Sequence, residues 1–416
     1  MVVAHYIFSQ VVPMKRYTQW FLSVLLSLVA FSPVTISAQQ ATEVEPPFPI
    51  TSGLESAVDF WRKIFTEYSL SQLIFFDPLD MSKIYEVIEV GEANRPQSYI
   101  DGERVRIAAT YGVDLERIQA QRGIKERMLA GLKRSGRYMH HIEKVFREKN
   151  LPVELGYLPL IESSFDISAL SFAGAAGMWQ FMRVTGKEYG LRIDRSIDER
   201  KDPFESTRAA AALLNQNYQT LGSWPLALTA YNYGAGGIAR AVADRQSDDL
   251  VELIRDYNHP YWGFAPKNFY AEFLAAVDVA KNINQYFPGT ELDAPLVVQE
   301  IELKKSVPLG VLAKNTRLTH RELLGWNPAL SAQTRSIPVG YRVKVPLDSK
   351  TDPIIQVAET RVQEQPDVVR HRVKRGETLM QIARRYGASV DKIMQINGMR
   401  KSHLLQVGST LLIPKA

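Results

Sequence analysis

The run Gly156-Tyr157-Leu158-Pro159-Leu160-Ile161-Glu162-Ser163-Ser164-Phe165 sets a carboxylate behind four apolar residues. The polar, glycine-rich stretch Ser168-Ala169-Leu170-Ser171-Phe172-Ala173-Gly174-Ala175-Ala176-Gly177-Met178-Trp179-Gln180-Phe181 follows it. A carboxyl group in apolar surroundings favours its protonated form. A carboxyl protonated near neutral pH can serve as a general acid. An isolated glutamate is more often solvated or paired with an arginine; the ordered motifs around Glu162 weigh against that reading.

Outward from this run, residues 152–287 read as all-α. Residues 206–218 form a strong helix, capped by Ser206 or started at Asp202-Pro203. Another begins at Pro225 and ends at Tyr233-Gly234, and a third covers residues 268–286. Upstream, residues 102–150 carry charged and apolar residues at helical spacing, interrupted at Gly112, Gly123 and Gly136. Val58 to Phe65 and Leu70 to Phe76 read as short amphipathic helices.

After Pro288 the chain repeats itself. Leu312-Ala313, Leu323 and Asn327 match Ile382-Ala383, Ile393 and Asn397 at an offset of 70. Val339-Gly340 through Pro346 then matches Val407-Gly408 through Pro414 at an offset of 68. Each unit has a β-like start, two short helices and a β-like end, the signature of a duplicated module.

The chain has 416 residues and a formal net charge of +5. No basic tract stands out, so nucleic acid is not an expected partner; a weak positive balance suits an anionic polymer such as cell wall. There are no cysteines, which excludes disulfides, thiolate metal sites, a cysteine nucleophile and a lipidated N-terminal cysteine. Met14-Lys15-Arg16, the apolar run from Trp20 to Phe31 and Ser37-Ala38 before Gln39 follow the order of a secretory signal peptide. The apolar run is shorter than the roughly 20 residues a membrane-spanning helix needs. An uncleaved N-terminal anchor is the competing reading, and it leaves peripheral membrane association open. Adjacent His140 and His141 point to different sides of a helix without further ligands at metal spacing. They read as a solvated face, and neither metal nor cofactor is expected.

Five further polar side chains complete a constellation around Glu162. Ser163 and Ser171 can hold a water or a substrate carbonyl. Gln180 can bind an amide or hydroxyl with both donor and acceptor groups. Tyr231 and Asn232 lie at a helix end, where side chains can face a cleft, and the nearby glycines allow an extended ligand close to the backbone.

This set resembles the lysozyme-like family of lytic transglycosylases, which cleave peptidoglycan. Glu162-Ser163, Ser171, Gly174 to Phe181 and Ala230-Tyr231-Asn232-Tyr233-Gly234-Ala235-Gly236 fall in the family's order over about residues 151–287. Trp179-Gln180-Phe181 with Gly186 to Leu191 looks most like the membrane-bound type D branch. The resemblance implies that Glu162 is the acid/base and that Ser171 assists at the reaction centre. It also implies that Gln180 and Asn232 contact substrate, and that Tyr270, in Lys267-Asn268-Phe269-Tyr270, approaches the glutamate. The second C-terminal repeat, from Val373-Lys374-Arg375-Gly376-Glu377-Thr378-Leu379 to Pro414, resembles a LysM module, a small βααβ domain that binds N-acetylglucosamine-containing glycans. The first repeat has Ser306-Val307-Pro308-Leu309 in place of the Gly-Glu-Thr opening and is a divergent LysM-like module.

A mainly α protein is therefore expected: a lysozyme-like all-α catalytic domain with an N-terminal helical extension, followed by one divergent and one clear small βααβ LysM module. The expected boundaries are a signal peptide over 1–38, an N-terminal helical region over 39–135 and the transglycosylase domain over 136–290. The divergent module covers 296–348, a linker 349–368 and the LysM domain 369–415. Between Glu162 and Glu188 the only other acid is Asp166, whereas ordinary glycosidases use two carboxylates. The resemblance implies instead one carboxyl that acts twice and leaves a 1,6-anhydro ring on the muramoyl residue. Glycan strands of peptidoglycan are the expected partner, in the periplasm or cell envelope. A hydrolysing muramidase and a non-catalytic wall-binding protein are the alternatives.

Overall fold

The structure, a computed structural model, describes residues 47–347, 349, 357–362, 368–397, 399, 405 and 407–414. The predicted signal peptide lies outside the described residues.

The first helix, α1 (Glu55–Thr66), buries Val58, Phe60, Trp61, Ile64 and Phe65 along one stripe. The run after it is not helical. Gln72–Asp77 is strand β1, paired antiparallel with β2 (Asp80–Glu89) on one side and β3 (Gln119–Arg122) on the other. Alternate β1 residues enter different cores. Ile74 and Phe76 join the main core, while Leu73 and Phe75 join a smaller one with Ile107 and Ile118. Both faces of the strand are covered, so it reads as an unbroken apolar run, and periodicity alone does not separate that from a buried helix. The helical extension expected over 39–135 is thus a three-stranded sheet flanked by α1 and α2 (Gln97–Tyr111). Gly112 closes α2 in the left-handed conformation, as a helix-ending glycine does.

The long helix α3 (Lys125–Glu148) runs straight through Gly136, where a break was expected. A methyl group at Gly136 would lie 2.3 Å from the Asp293 carbonyl, so the glycine admits the crossing chain. Beyond it come α4 (Leu158–Ser163), α5 (Arg183–Glu188), α6 (Pro203–Leu221), α7 (Trp224–Tyr233), α8 (Ala235–Arg245), α9 (Leu250–Asp256), α10 (Phe264–Lys281) and α11 (Ile283–Tyr286). Of the two expected starts for α6, the chain uses the earlier. Asp202 caps it, accepting hydrogen bonds from the Phe204 and Glu205 amides at 2.9 and 3.1 Å. The main core joins α1, α3, α4, α6, α7 and α10 into one body.

The C-terminal part holds two βααβ units. The first comprises β4 (Val298–Leu303), β5 (Val307–Pro308), α12 (Leu309–Thr316), α13 (His320–Trp326), β6 (Ser336–Ile337) and β7 (Arg342–Pro346), with β4 paired to β7. A further strand, β8 (Val357–Val362), pairs with the other edge of β4. The stretch expected to be a linker therefore contributes a strand to the first module. The second unit comprises β9 (Val368–Arg372), α14 (Leu379–Arg385), α15 (Val390–Ile396) and β10 (Thr410–Pro414), with its own core. Asn327 and Asn397 do the same work in the two copies. Each side-chain amide donates to the carbonyl four residues back and to a strand carbonyl, and each accepts from the strand amide. The strand partners are Lys344 and Leu412, 68 residues apart as the repeat requires.

Candidate active site

Helix α4 is six residues long, and all six are buried. Pro159 starts it at no cost in lost donors. Ser164 and Phe165 end it, both with positive φ. Glu162 sits in its last turn with 7% of its surface exposed. Burial alone pushes its pKa up to about 8, because the charged form loses its water. The sequence-based inference from the apolar run is thus matched by the local environment.

The segment 169–181 is held against α4 from several sides. Ser163 Oγ donates to the Met178 carbonyl at 2.8 Å, Tyr231 Oη to the Trp179 carbonyl at 2.7 Å, and Trp179 Nε1 to Thr207 Oγ1 at 3.0 Å. Within the segment, Ser171 Oγ accepts from the Ala175 amide at 2.9 Å, and the Ser171 amide donates to the Ala175 carbonyl at 2.8 Å. Ser171 and Ser163 therefore brace backbone. Gln180 has a positive φ of 49°, and its Nε2 donates to the Gly177 carbonyl at 2.7 Å. Its Oε1 is buried with no hydrogen-bond partner among the described residues. Such an atom costs free energy until something donates to it. Trp179 and Phe181 are core residues.

Tyr231 approaches Glu162 closely enough that a charge on the carboxyl adds to the burial that raises the phenol's pKa. Asn232 is exposed near the end of α7. The Tyr270 hydroxyl is engaged elsewhere. The residue is fully buried in α10, its hydroxyl donates to the Pro49 carbonyl at 3.0 Å, and burial alone raises its pKa. Asp166 does not continue α4; its carboxylate caps the local turn by accepting from the Ser168 amide and hydroxyl at 2.8 and 2.7 Å. His141 is buried, not on a solvated face, and burial lowers its pKa to about 3, so it is neutral.

Sequence reading missed one carboxyl. Glu272 lies buried in α10, which packs against α4. Burial, then the nearby Glu162 charge, raises its pKa to about 8. The signal was present: Glu272 is the only ionisable carboxyl in the apolar helix between Lys267 and Asp278. Among the described residues no group of three metal-ligating side chains occurs.

Residues 141–253 match the Transglycosylase SLT domain, and residues 371–414 match the LysM domain. The chain is 29% identical over 294 residues to the membrane-bound lytic murein transglycosylase D of Escherichia coli (strain K12). That match covers 66% of this chain and 63% of the relative's length. It is 36% identical over 108 residues to a putative tributyltin chloride resistance protein of Alteromonas sp. (strain M-1), covering 26% of this chain and 52% of the relative. Among solved structures, the 70 kDa soluble lytic transglycosylase of Escherichia coli matches with a TM-score of 0.30 and 19% identity, over 36% of this chain and 25% of that one.

Proposed function

We propose that this chain, which carries a Transglycosylase SLT domain and a LysM domain, is a peptidoglycan lytic transglycosylase. The observation that carries the proposal is the buried Glu162, protonated at neutral pH and lodged beside a braced loop. Glu162 donates its proton to the oxygen linking N-acetylmuramic acid to N-acetylglucosamine, and that bond breaks. The substrate's own acetamido group stabilises the electron-poor carbon. The Glu162 carboxylate then takes the proton of the muramoyl 6-hydroxyl, whose oxygen closes on the anomeric carbon to give a 1,6-anhydro ring. The residue ends protonated, ready for another turnover.

Glu272 supports the single-carboxyl route. A retaining glycosidase needs an ionised second carboxylate as nucleophile, and burial holds Glu272 in its neutral form below about pH 8. In this reading Gln180 Oε1 accepts a substrate N–H or O–H, and Ser163, Ser171 and Tyr231 hold the loop in shape. Asn232 lines the cleft, and Tyr270 braces α10 against residue 49. The LysM domain holds the enzyme on glycan strands in the cell envelope. No helix among the described residues is long and apolar enough to cross a membrane.

The test incubates the full chain with purified peptidoglycan and weighs the soluble fragments. Anhydro ends, one water lighter than hydrolysed ends, are expected. Fragments that carry the water would make the protein a hydrolysing muramidase. Retained wall binding without soluble fragments would make it a non-catalytic wall protein. Glu162→Gln should lower the release rate by about 10²–10⁴-fold.

A further inference from the structure

The first LysM-like module does not hang from the catalytic domain; it is built into it. Ile197, in the loop before α6, is buried in the module's own core, with Leu303, Leu312 and Leu323. Around it the two parts pair like strands. Ile197 faces Leu330 in an antiparallel bridge. The Asp198 amide donates to the Ala329 carbonyl, and the Ser331 amide to the Ser196 carbonyl, both at 2.8 Å. Thr334 Oγ1 donates to the Ser196 carbonyl at 2.9 Å. Behind this seam lies a buried ion network. Lys344 Nζ reaches Asp202 at 2.6 Å and Glu205 at 3.1 Å, Arg342 also bonds Glu205, and Arg208 bonds Glu300 at 2.7 Å.

The loop held this way carries Arg200. Its guanidinium is buried and oriented by Asp198, with Nε–Oδ1 and Nη2–Oδ2 both at 2.8 Å. The remaining nitrogen, Nη1, donates to the carbonyls of Gly174 at 2.7 Å and Phe181 at 3.1 Å. These carbonyls stand at the two ends of the loop that contains Gly177 and Gln180. Gly174 also closes the turn opened by Ser171, its amide donating to the Ser171 carbonyl at 3.0 Å. At Gly177 the two backbones touch, since a methyl group there would lie 1.7 Å from the Arg200 carbonyl.

We propose that Arg200 is a positioning residue for glycan cleavage, and that the first LysM-like module serves as the wall that holds Arg200 against the 171–181 loop. The module then acts as part of the active-site scaffold, not as a second glycan-reading arm. The inference rests on the proposed transglycosylase activity for its kinetic readout, but its structural readout stands without it. Two discrete links carry the coupling: the strand-like seam fixes Asp198, and Asp198 fixes the guanidinium that fixes the loop. A planar fork that bonds a carboxylate with one edge and two carbonyls with its other nitrogen is replaced only in part by an ammonium, which keeps the charge but not the fork.

The test uses the full chain with Arg200→Met, Arg200→Lys and the seam variant Leu330→Asp. Backbone hydrogen exchange over 169–181 and steady-state kinetics on soluble uncrosslinked glycan strands are measured, with Glu162→Gln as the reference. Arg200→Met should speed exchange in the loop and lower kcat by about 10- to 10²-fold, as misplacement of reacting groups does, with KM changed less than about threefold. Arg200→Lys should recover part of kcat. Leu330→Asp should open the 196–198 seam and show the same loop exchange and kcat loss as Arg200→Met. Glu162→Gln should lose kcat while its loop stays protected. Unchanged loop exchange in Leu330→Asp, despite an opened seam, would overturn the role of the module. Unchanged kcat in Arg200→Met and Arg200→Lys would overturn the role of Arg200. If Arg200→Met does not fold, Arg200→Lys and Leu330→Asp decide. If the wild-type chain releases no glycan fragments, the proposed activity fails, and the exchange comparison still judges the clamp.

Discussion

Glu162 governs two pH dependences, and both favour its acid form. In the proposed reaction its acid form is the reactive one, so the rate of glycan cleavage should fall as pH rises through about 8; a rate profile flat from pH 6 to 10 would remove Glu162 as the acid. The same burial works against folding. The carboxyl has an ordinary value near 4.5 in the unfolded chain and about 8 in the folded one. The folded state therefore binds more protons between these values, and stability is lost as pH rises through the window. Glu162→Gln does not titrate, so its stability relative to wild type should increase from about pH 5 to 8 and level off above. Each unit of pKa difference is worth about 1.4 kcal/mol, and denaturant melts at pH 5, 7 and 9 read it out. Glu272→Gln separates the two carboxyls. An amide replaces a neutral acid nearly isosterically, so cleavage at pH 6 should remain within about threefold of wild type, whereas loss of a nucleophile would cost about 10²–10⁴-fold. The raised pKa of Glu162 was legible in the chain because the apolar run that buries it is its immediate neighbour. The hydroxyl partner of Tyr270 was not legible, because the Pro49 carbonyl lies 221 positions away in the chain.

At the scale of elements, the loop between α4 and α5 does most of the work. Its shape depends on Gly177, which combines a φ of +79° with backbone contact to Arg200. Gly177→Ala should destabilise the protein by about 2 kcal/mol or more, since the left-handed backbone alone costs 1–2 kcal/mol, with thermal melting as the measure. The helices from α3 to α11 were readable from apolar stripes, proline starts and glycine stops. The sheet β1–β3 was not. A strand covered on both faces loses the alternation that marks strands, and its partners β2 and β3 are supplied by residues up to 50 positions away. The duplicated βααβ units were readable because repetition needs no knowledge of partners: Asn327 and Asn397 show their equivalence by recurring in register.

For the whole molecule, the two modules have different attachments. The second has a core of its own. Deleting residues 369–416 should leave the melting temperature of the remainder within a few degrees while weakening sedimentation with purified peptidoglycan; unchanged sedimentation would refute wall targeting by this domain. The first is locked through Lys344, which is buried against Asp202 and Glu205. Burial opposes each charge; at Glu205 the Lys344, Arg208 and Arg342 charges overcome it and hold the carboxyl below its ordinary range, whereas at Asp202 burial prevails and raises the pKa. Lys344→Met leaves buried carboxylates short of a cation and should cost about 3–5 kcal/mol, with chemical denaturation as the check. The sequence by itself determined the apolar setting of the Glu162 carboxyl, the helical character of its domain and the repeated modules, because burial preference, periodicity and repetition are written in neighbouring residues. Only the tertiary structure decided the second buried carboxyl beside Glu162, the sheet in the N-terminal region and the fusion of the first module to the loop before α6. Each of these depends on residues distant in the chain meeting in space, where low polarity and shared hydrogen bonds change what a side chain does.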